Sequence, residues 1–190
     1  PGRLLAHRLE QEQQALLAEN VVAFLENDFL GSITPDALGR DVSMREVIDS
    51  AVRRIDARAH EEPLVEATLR QTFGNAYWRL GAWADAHRQY EQSVTLFEDA
   101  LGPSHRDTLR TMIYLGDAAL EIGEMDEADA HFEAARSRAV RTLDIEGEIV
   151  LLADLGLASV AADRAELDEA ESRLEDVIER AGRLLAPDDP

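Results

Sequence analysis

The chain has no cysteine in its 190 residues. That excludes disulfide bridges, thiolate-held zinc and a cysteine nucleophile, and it leaves the redox compartment open. No run of apolar residues approaches bilayer-spanning length, and no signal peptide is expected. Basic residues are scarce. Lys and Arg number 19 against 39 Asp and Glu, for a formal net charge of −20. Such a surface repels phosphate backbones, so nucleic acid is not expected as a partner. The same charge keeps solvent faces soluble and attracts a basic partner at long range.

Motifs that carry chemistry are missing as well. The histidines are His7, His60, His87, His105 and His131, and no pair has helical zinc-motif spacing. His60-Glu61-Glu62 lacks a second histidine four residues after the first. No serine sits in a Gly-x-Ser-x-Gly elbow. Carboxylate pairs such as Asp126/Glu127 and Asp168/Glu169 fall at helix starts, where negative charge offsets the helix dipole. No metal, no cofactor and no catalytic residue is expected.

What the chain does have is a self-match at a spacing of 42 residues. Leu80-Gly81-Ala82-Trp83-Ala84-Asp85-Ala86 recurs as Ile122-Gly123-Glu124-Met125-Asp126-Glu127-Ala128, and more weakly as Arg164-Ala165-Glu166-Leu167-Asp168-Glu169-Ala170. A period in this range marks stacked helical repeats. Three units follow, Val65 to Arg106, Asp107 to Glu148 and Ile149 to Pro190, each a pair of helices, A and B, joined by a tight turn at Gly81, Gly123 or Ala165. His87 and His131 fall at different repeat positions and form no ladder.

The apolar stripes have helical period. Helix A of unit one carries Leu69, Phe73, Ala76, Tyr77 and Leu80; helix B carries Trp83, Ala86, Tyr90, Val94, Phe97 and Leu101. Unit two matches with Leu115, Ala118, Ala119 and Ile122, then Met125, Ala128, Phe132 and Ala135. Unit three gives Leu157, Val160 and Ala161, then Leu167, Ala170, Leu174, Val177 and Ile178. Tyr77, Trp83, Tyr90 and Phe97 are expected in the core, whereas Trp78, adjacent to Tyr77, points to another face of helix A. Gly74, Gly116 and Ala158 are expected where helix A approaches helix B closely, faced by Ala86, Ala128 and Ala170.

Upstream, Arg3 to Leu30 reads as one long helix, Gly31 to Asp41 as a loop, and Ser43-Met44-Arg45-Glu46 as a capping box. A helix follows, with Val47, Ile48, Ala51, Val52 and Ile55 facing the core, ending near Pro63. Residues 1–63 are thus expected as a helical segment packing on the array of residues 64–190. The chain opens Pro1-Gly2-Arg3 and stops at Ala186-Pro187-Asp188-Asp189-Pro190, inside what reads as a connector. It is expected to be a soluble, cytoplasmic piece of a longer protein, and that parent can carry a membrane anchor.

These residues resemble the tetratricopeptide repeat in its 42-residue, kinesin-light-chain-like form. The resemblance rests on Gly74, Tyr77, Gly81, Ala86 and Tyr90, on Gly116, Gly123, Ala128 and Phe132, and on the linker Leu101-Gly102-Pro103-Ser104-His105 followed by Asp107-Thr108-Leu109. It implies an all-α fold, a right-handed α-solenoid of antiparallel helix pairs preceded by two N-terminal helices. It further implies a non-catalytic scaffold that binds a peptide or protein in a concave groove lined by the A helices. The groove positions map to Gln71, Asn75, Trp78 and Arg79 in unit one, to Arg110, Tyr114, Asp117 and Glu121 in unit two, and to Leu152, Leu155, Ser159 and Asp163 in unit three. By that resemblance Asn75 and Arg79 hydrogen-bond a peptide backbone or its acidic groups, and Trp78 and Tyr114 supply apolar anchors. Gln71 stands where the lysine of the terminal-carboxylate clamp of some relatives would be.

The segments Glu19 to Leu25, Gly39 to Ile48 and Ala51 to Ile55 are similar to the stretch preceding such repeats in bacterial serine/threonine protein kinases. That implies a sensory or regulatory region of a larger signalling protein. The chain itself has no Gly-rich phosphate loop and no His-Arg-Asp sequence, so it would not transfer phosphate. The alternative reading is self-association, with the outer apolar residues of the last B helix pairing with another copy in a homodimer.

Overall fold

The computed structural model describes residues 15, 17–19, 21–22, 43–58, 62–142 and 147–185. Residues 15, 17–19 and 21–22 are helical. The rest of the expected long N-terminal helix, the loop of residues 31–41, most of the second connector and the terminal residues 186–190 lie outside the described residues.

The helix α1, Met44–Arg58, opens on the capping box read from the sequence. The Glu46 amide donates to Ser43 Oγ at 3.2 Å and the Ser43 amide donates to Glu46 Oε2 at 2.9 Å, so two otherwise orphaned amides are satisfied reciprocally. Three helical hairpins follow: α2 (Pro63–Arg79) with α3 (Trp83–Leu101), α4 (Arg106–Glu121) with α5 (Met125–Thr142), and α6 (Glu148–Asp163) with α7 (Leu167–Leu185). Each helix packs on the next in chain order from α1 to α7, and α4 also packs on α6. The described chain is therefore an α-solenoid, and all its regular structure is helical.

The three hairpin turns share one geometry. Gly81, Gly123 and Ala165 take φ of 69°, 87° and 62°. In each turn that residue's amide donates to the carbonyl three back, and the following amide donates to the carbonyl five back, as in Ala82 to Tyr77 at 3.0 Å, Glu124 to Ala119 at 2.9 Å and Glu166 to Ala161 at 2.9 Å. This left-handed exit favours glycine. Ala165 adopts it despite its Cβ.

One continuous core runs from Ile48 in α1 to Val160 in α6. The small residues work as expected, but through aromatic rings. A Cβ on Gly74 would lie 2.5 Å from Tyr90 Cε1, and one on Gly116 would lie 2.8 Å from Phe132 Cε1. Phe132 is wholly buried, and its other neighbour is Gly156 of α6, where a Cβ would lie 2.5 Å from both Cδ1 and Cζ. The ring is thus wedged between two glycines on two different A helices. In unit three the matching large residue is the smaller Leu174, and Ala158 is accommodated and buried.

Several expected core positions are not core. Trp83 is 39% exposed, because it is the first residue of α3 and sits at the edge of the turn. Leu80 and Ile122, the C-caps of α2 and α4, are exposed for the same reason. Leu167, Leu174 and Ile178 form an exposed apolar row on α7, since among the described residues α6 is its principal packing partner.

Two buried ion networks escaped the apolar pattern altogether. Arg70 of α2 is 4% exposed. It bonds Glu66 at 2.7 Å, Asp56 of α1 at 3.0 Å, and Gln89 and Gln92 of α3 at 3.3 and 2.6 Å. Asp154 of α6 is 3% exposed. It accepts from Arg136 Nε of α5 at 2.5 Å and from Arg180 of α7. Arg70 and Asp154 occupy the same repeat position, which Met112 fills in unit two.

Candidate functional site

The A helices α2, α4 and α6 carry the expected groove positions, and the side chains there differ in what they have left to offer. Gln71 Nε2 donates to Thr111 Oγ1 at 2.5 Å, stitching α2 to α4. Arg110 donates to Glu148 Oε2 at 3.0 Å, and Arg106 does so at 2.5 Å. Those two guanidinium groups hold the Glu148 carboxyl below its ordinary range. Gln71 and Arg110, both expected in the groove, are therefore engaged in holding neighbouring units together.

Five other expected groove residues meet at one place. Asn75, Trp78 and Arg79 of α2 and Tyr114 and Asp117 of α4 line an open pocket of about 310 Å³. Its sixth wall is Tyr90 of α3, which is buried in the core as expected and also reaches this pocket, where the sequence did not place it. Tyr90 reaches the pocket because Gly74 has no side chain: the ring lies across α2 at that gap. Its hydroxyl donates to Asn75 Oδ1 at 2.8 Å, and its ring stands 5.7 Å from that of Tyr114, tilted by 42°. Burial, the dominant cause, together with the Tyr114 and Asp117 charges pushes the Tyr90 phenol well above its usual range. The Asn75 oxygen is spent on Tyr90, so what Asn75 offers a ligand is its amide nitrogen.

Asp117 is the pocket's carboxylate. Among the described residues it has no hydrogen-bond or ion-pair partner. Burial pushes its pKa up to about 6, with the Glu121 charge one turn along α4 adding to the effect. Arg79 is exposed at the rim. The remaining expected positions lie elsewhere. Glu121 is exposed, Leu152 is half-buried against the core, and Leu155, Ser159 and Asp163 are exposed along α6 without lining the pocket.

His87 and His131 lie at different repeat positions, yet both face Glu127, with Nε2 at 3.0 and 3.3 Å from the same Oε1. Burial works against the Glu127 charge, but the bonds from the two histidines outweigh it and hold the carboxyl below its usual range. Among the described residues no group of three or more His, Asp or Glu is arranged to hold a metal ion, and no helix is long and apolar enough to cross a membrane.

Residues 64–139 match a tetratricopeptide repeat model, and residues 155–190 match a second model of the same repeat. No curated protein matches the chain. Among solved structures, a kinesin-light-chain candidate of Podosopora anserina with nearly identical TPR-like repeats superposes with a TM-score of 0.62 at 18% identity, over 96% of this chain and 94% of that one. A variant of that protein gives 0.63 at the same identity and coverage. BtubC (BKLC) from P. vanneervenii gives 0.62 at 12% identity, over 75% of this chain and 60% of that one. The tetratricopeptide repeat is a non-catalytic protein-interaction scaffold, and the 42-residue period, the glycine-closed hairpins and the two repeat matches agree: this chain belongs to the tetratricopeptide repeat family, with the fold of kinesin-light-chain-type repeats.

Proposed function

We propose that the inner face of the stack binds an extended peptide segment of a partner protein, anchored in the pocket between α2 and α4. One observation carries this reading. Three aromatic side chains, Trp78, Tyr90 and Tyr114, converge on an open pocket on the side that the A helices share. Aromatic residues in such positions dominate interface energetics. The Asn75 amide nitrogen beside them donates to a peptide carbonyl. The upstream resemblance to kinase-attached segments supports a regulatory role within a larger signalling protein, and the net charge of −20 disfavours nucleic acid as the partner.

A random-peptide display selection on the whole chain tests this. Trp78→Ala and Tyr114→Ala should each weaken the enriched peptides by about tenfold or more, as expected for buried aromatic anchors. If both variants bind those peptides as the parent does, the groove is not the site.

A second reading has its own observation. Leu167, Leu174 and Ile178 leave an apolar row bare on α7, with Ile178 71% exposed. A second copy of the chain can cover it. Sedimentation over a concentration series should then show a dimer that Ile178→Glu disperses; a monomer throughout counts against it.

A further inference from the structure

The pocket's chemistry narrows what enters it. At about 310 Å³ it is at the small end of ligand sites and suits one long side chain better than a cofactor. Its walls are three aromatic rings, an amide and one carboxylate, with Arg79 at the rim. Asp117 is the unusual member. It is half-buried, has no partner among the described residues, and has Glu121 behind it on the same helix. A desolvated carboxylate left unpaired is costly, and a cation brought against it removes that cost. Aromatic faces beside it attract the same cation through their quadrupoles. The long-range field of a chain with net charge −20 brings cations toward the surface.

We propose that this pocket receives a lysine or arginine side chain from a basic segment of the partner, with its charge on Asp117 and its stem against Trp78 and Tyr114. The inference rests on the groove reading above and names the chemistry of its occupant. It departs from the expectation that Arg79 meets acidic groups. Arg79 is the pocket's own cation, so it opposes the incoming charge. The groups facing Asp117 are Glu121 on its own helix, Arg79 on α2, Tyr90 on α3 and Tyr114 beside it. Raising the pH from 5 to 7 ionises Asp117 and tightens the complex.

The test uses the peptides enriched by display on the whole chain, measured by fluorescence anisotropy at physiological salt. Lysine or arginine should be enriched at one fixed position. Asp117→Asn should weaken binding about tenfold, the scale of one charge-assisted contact. Arg79→Glu should tighten it, and Asp168→Asn, an exposed acid on α7, should leave it within about twofold, as distant screened charge does. Acidic enriched peptides that lose binding with Arg79→Glu overturn the charge assignment and leave the groove reading standing. An Asp117→Asn effect no larger than that of Asp168→Asn also overturns it, since the attraction is then general. Peptides indifferent to Trp78→Ala overturn the groove reading and this inference with it.

Discussion

Replacing Gly156 with alanine tests how the units are locked together. The added Cβ would lie 2.5 Å from two atoms of the Phe132 ring, against 3.4–4 Å for ordinary contact, so the ring must retreat by about 1 Å. It has nowhere to go, because Phe132 is wholly buried and Gly116 backs it on the other side. Overpacking of this kind costs about 2–3 kcal/mol, in the upper part of its usual range. Helix propensity returns about 1 kcal/mol, because alanine is the better helix former. The net expectation is a loss of about 1–2 kcal/mol, or roughly 2–8 °C in Tm for a chain of this length. Gly182→Ala supplies the control: nothing lies within 4 Å of its added Cβ, so the propensity gain of about 0.5–1 kcal/mol should emerge unopposed. Phe132→Leu should rescue Gly156→Ala, since the smaller side chain vacates the ring atoms that the added Cβ would meet. Urea unfolding of the single and double variants gives the coupling, expected at about 1 kcal/mol or more. If Gly156→Ala stabilises as Gly182→Ala does, or if the double variant is simply additive, the wedge is not what joins α4, α5 and α6.

Three further outcomes are expected. Ala165→Gly should stabilise the third hairpin by about 0.5–1 kcal/mol in urea unfolding, the left-handed strain of about 1–2 kcal/mol outweighing the unfolded-state entropy of glycine; destabilisation would contradict the turn geometry. Asp154→Ala should cost about 2–4 kcal/mol, because it leaves the buried Arg180 with only the exposed Asp176 as counter-ion and takes the partner from Arg136, and a loss under about 1 kcal/mol would show that the network is peripheral. Asp117 has a folded pKa raised to about 6, above its unfolded value near 4, so the folded state binds the extra proton between those limits. The Asp117 contribution to stability should therefore fall as pH rises from about 4 to 6, against the opposite contributions of Glu127 and Glu148. Asp117→Asn should flatten that slope and stabilise the chain at pH 7 by on the order of 1–3 kcal/mol, as read by thermal melts across pH.

The architecture was legible because it repeats. One 42-residue spacing gave the hairpins, and the glycines at Gly81 and Gly123 gave their turns before any coordinate was known. The capping box at Ser43 and Glu46 was readable because it is local. What escaped the reading depends on the third dimension. Trp83 looks like core by period, but it begins a helix at the edge of the stack. Arg70 and Asp154 carry charge and so read as solvent-facing, yet each is buried against charged partners on adjoining helices, Asp56 for Arg70 and Arg136 and Arg180 for Asp154. Arg110 was assigned to the groove because only structure shows Glu148 across from it. Tyr90 belongs to a B helix, and it enters the pocket only through the gap left by Gly74. The joint signal was present in the sequence, a glycine on helix A with an aromatic on helix B, but the ring's direction was not.

The proposed docking surface is the side that the A helices share, with its anchor between α2 and α4. Amide chemical-shift mapping of the labelled chain, titrated with a display-selected peptide, tests it most directly. The largest shifts are expected at Asn75 to Arg79 and at Tyr114 to Glu121. Shifts centred on the outer faces of α3 and α5, or on α7, with α2 and α4 silent, would contradict it.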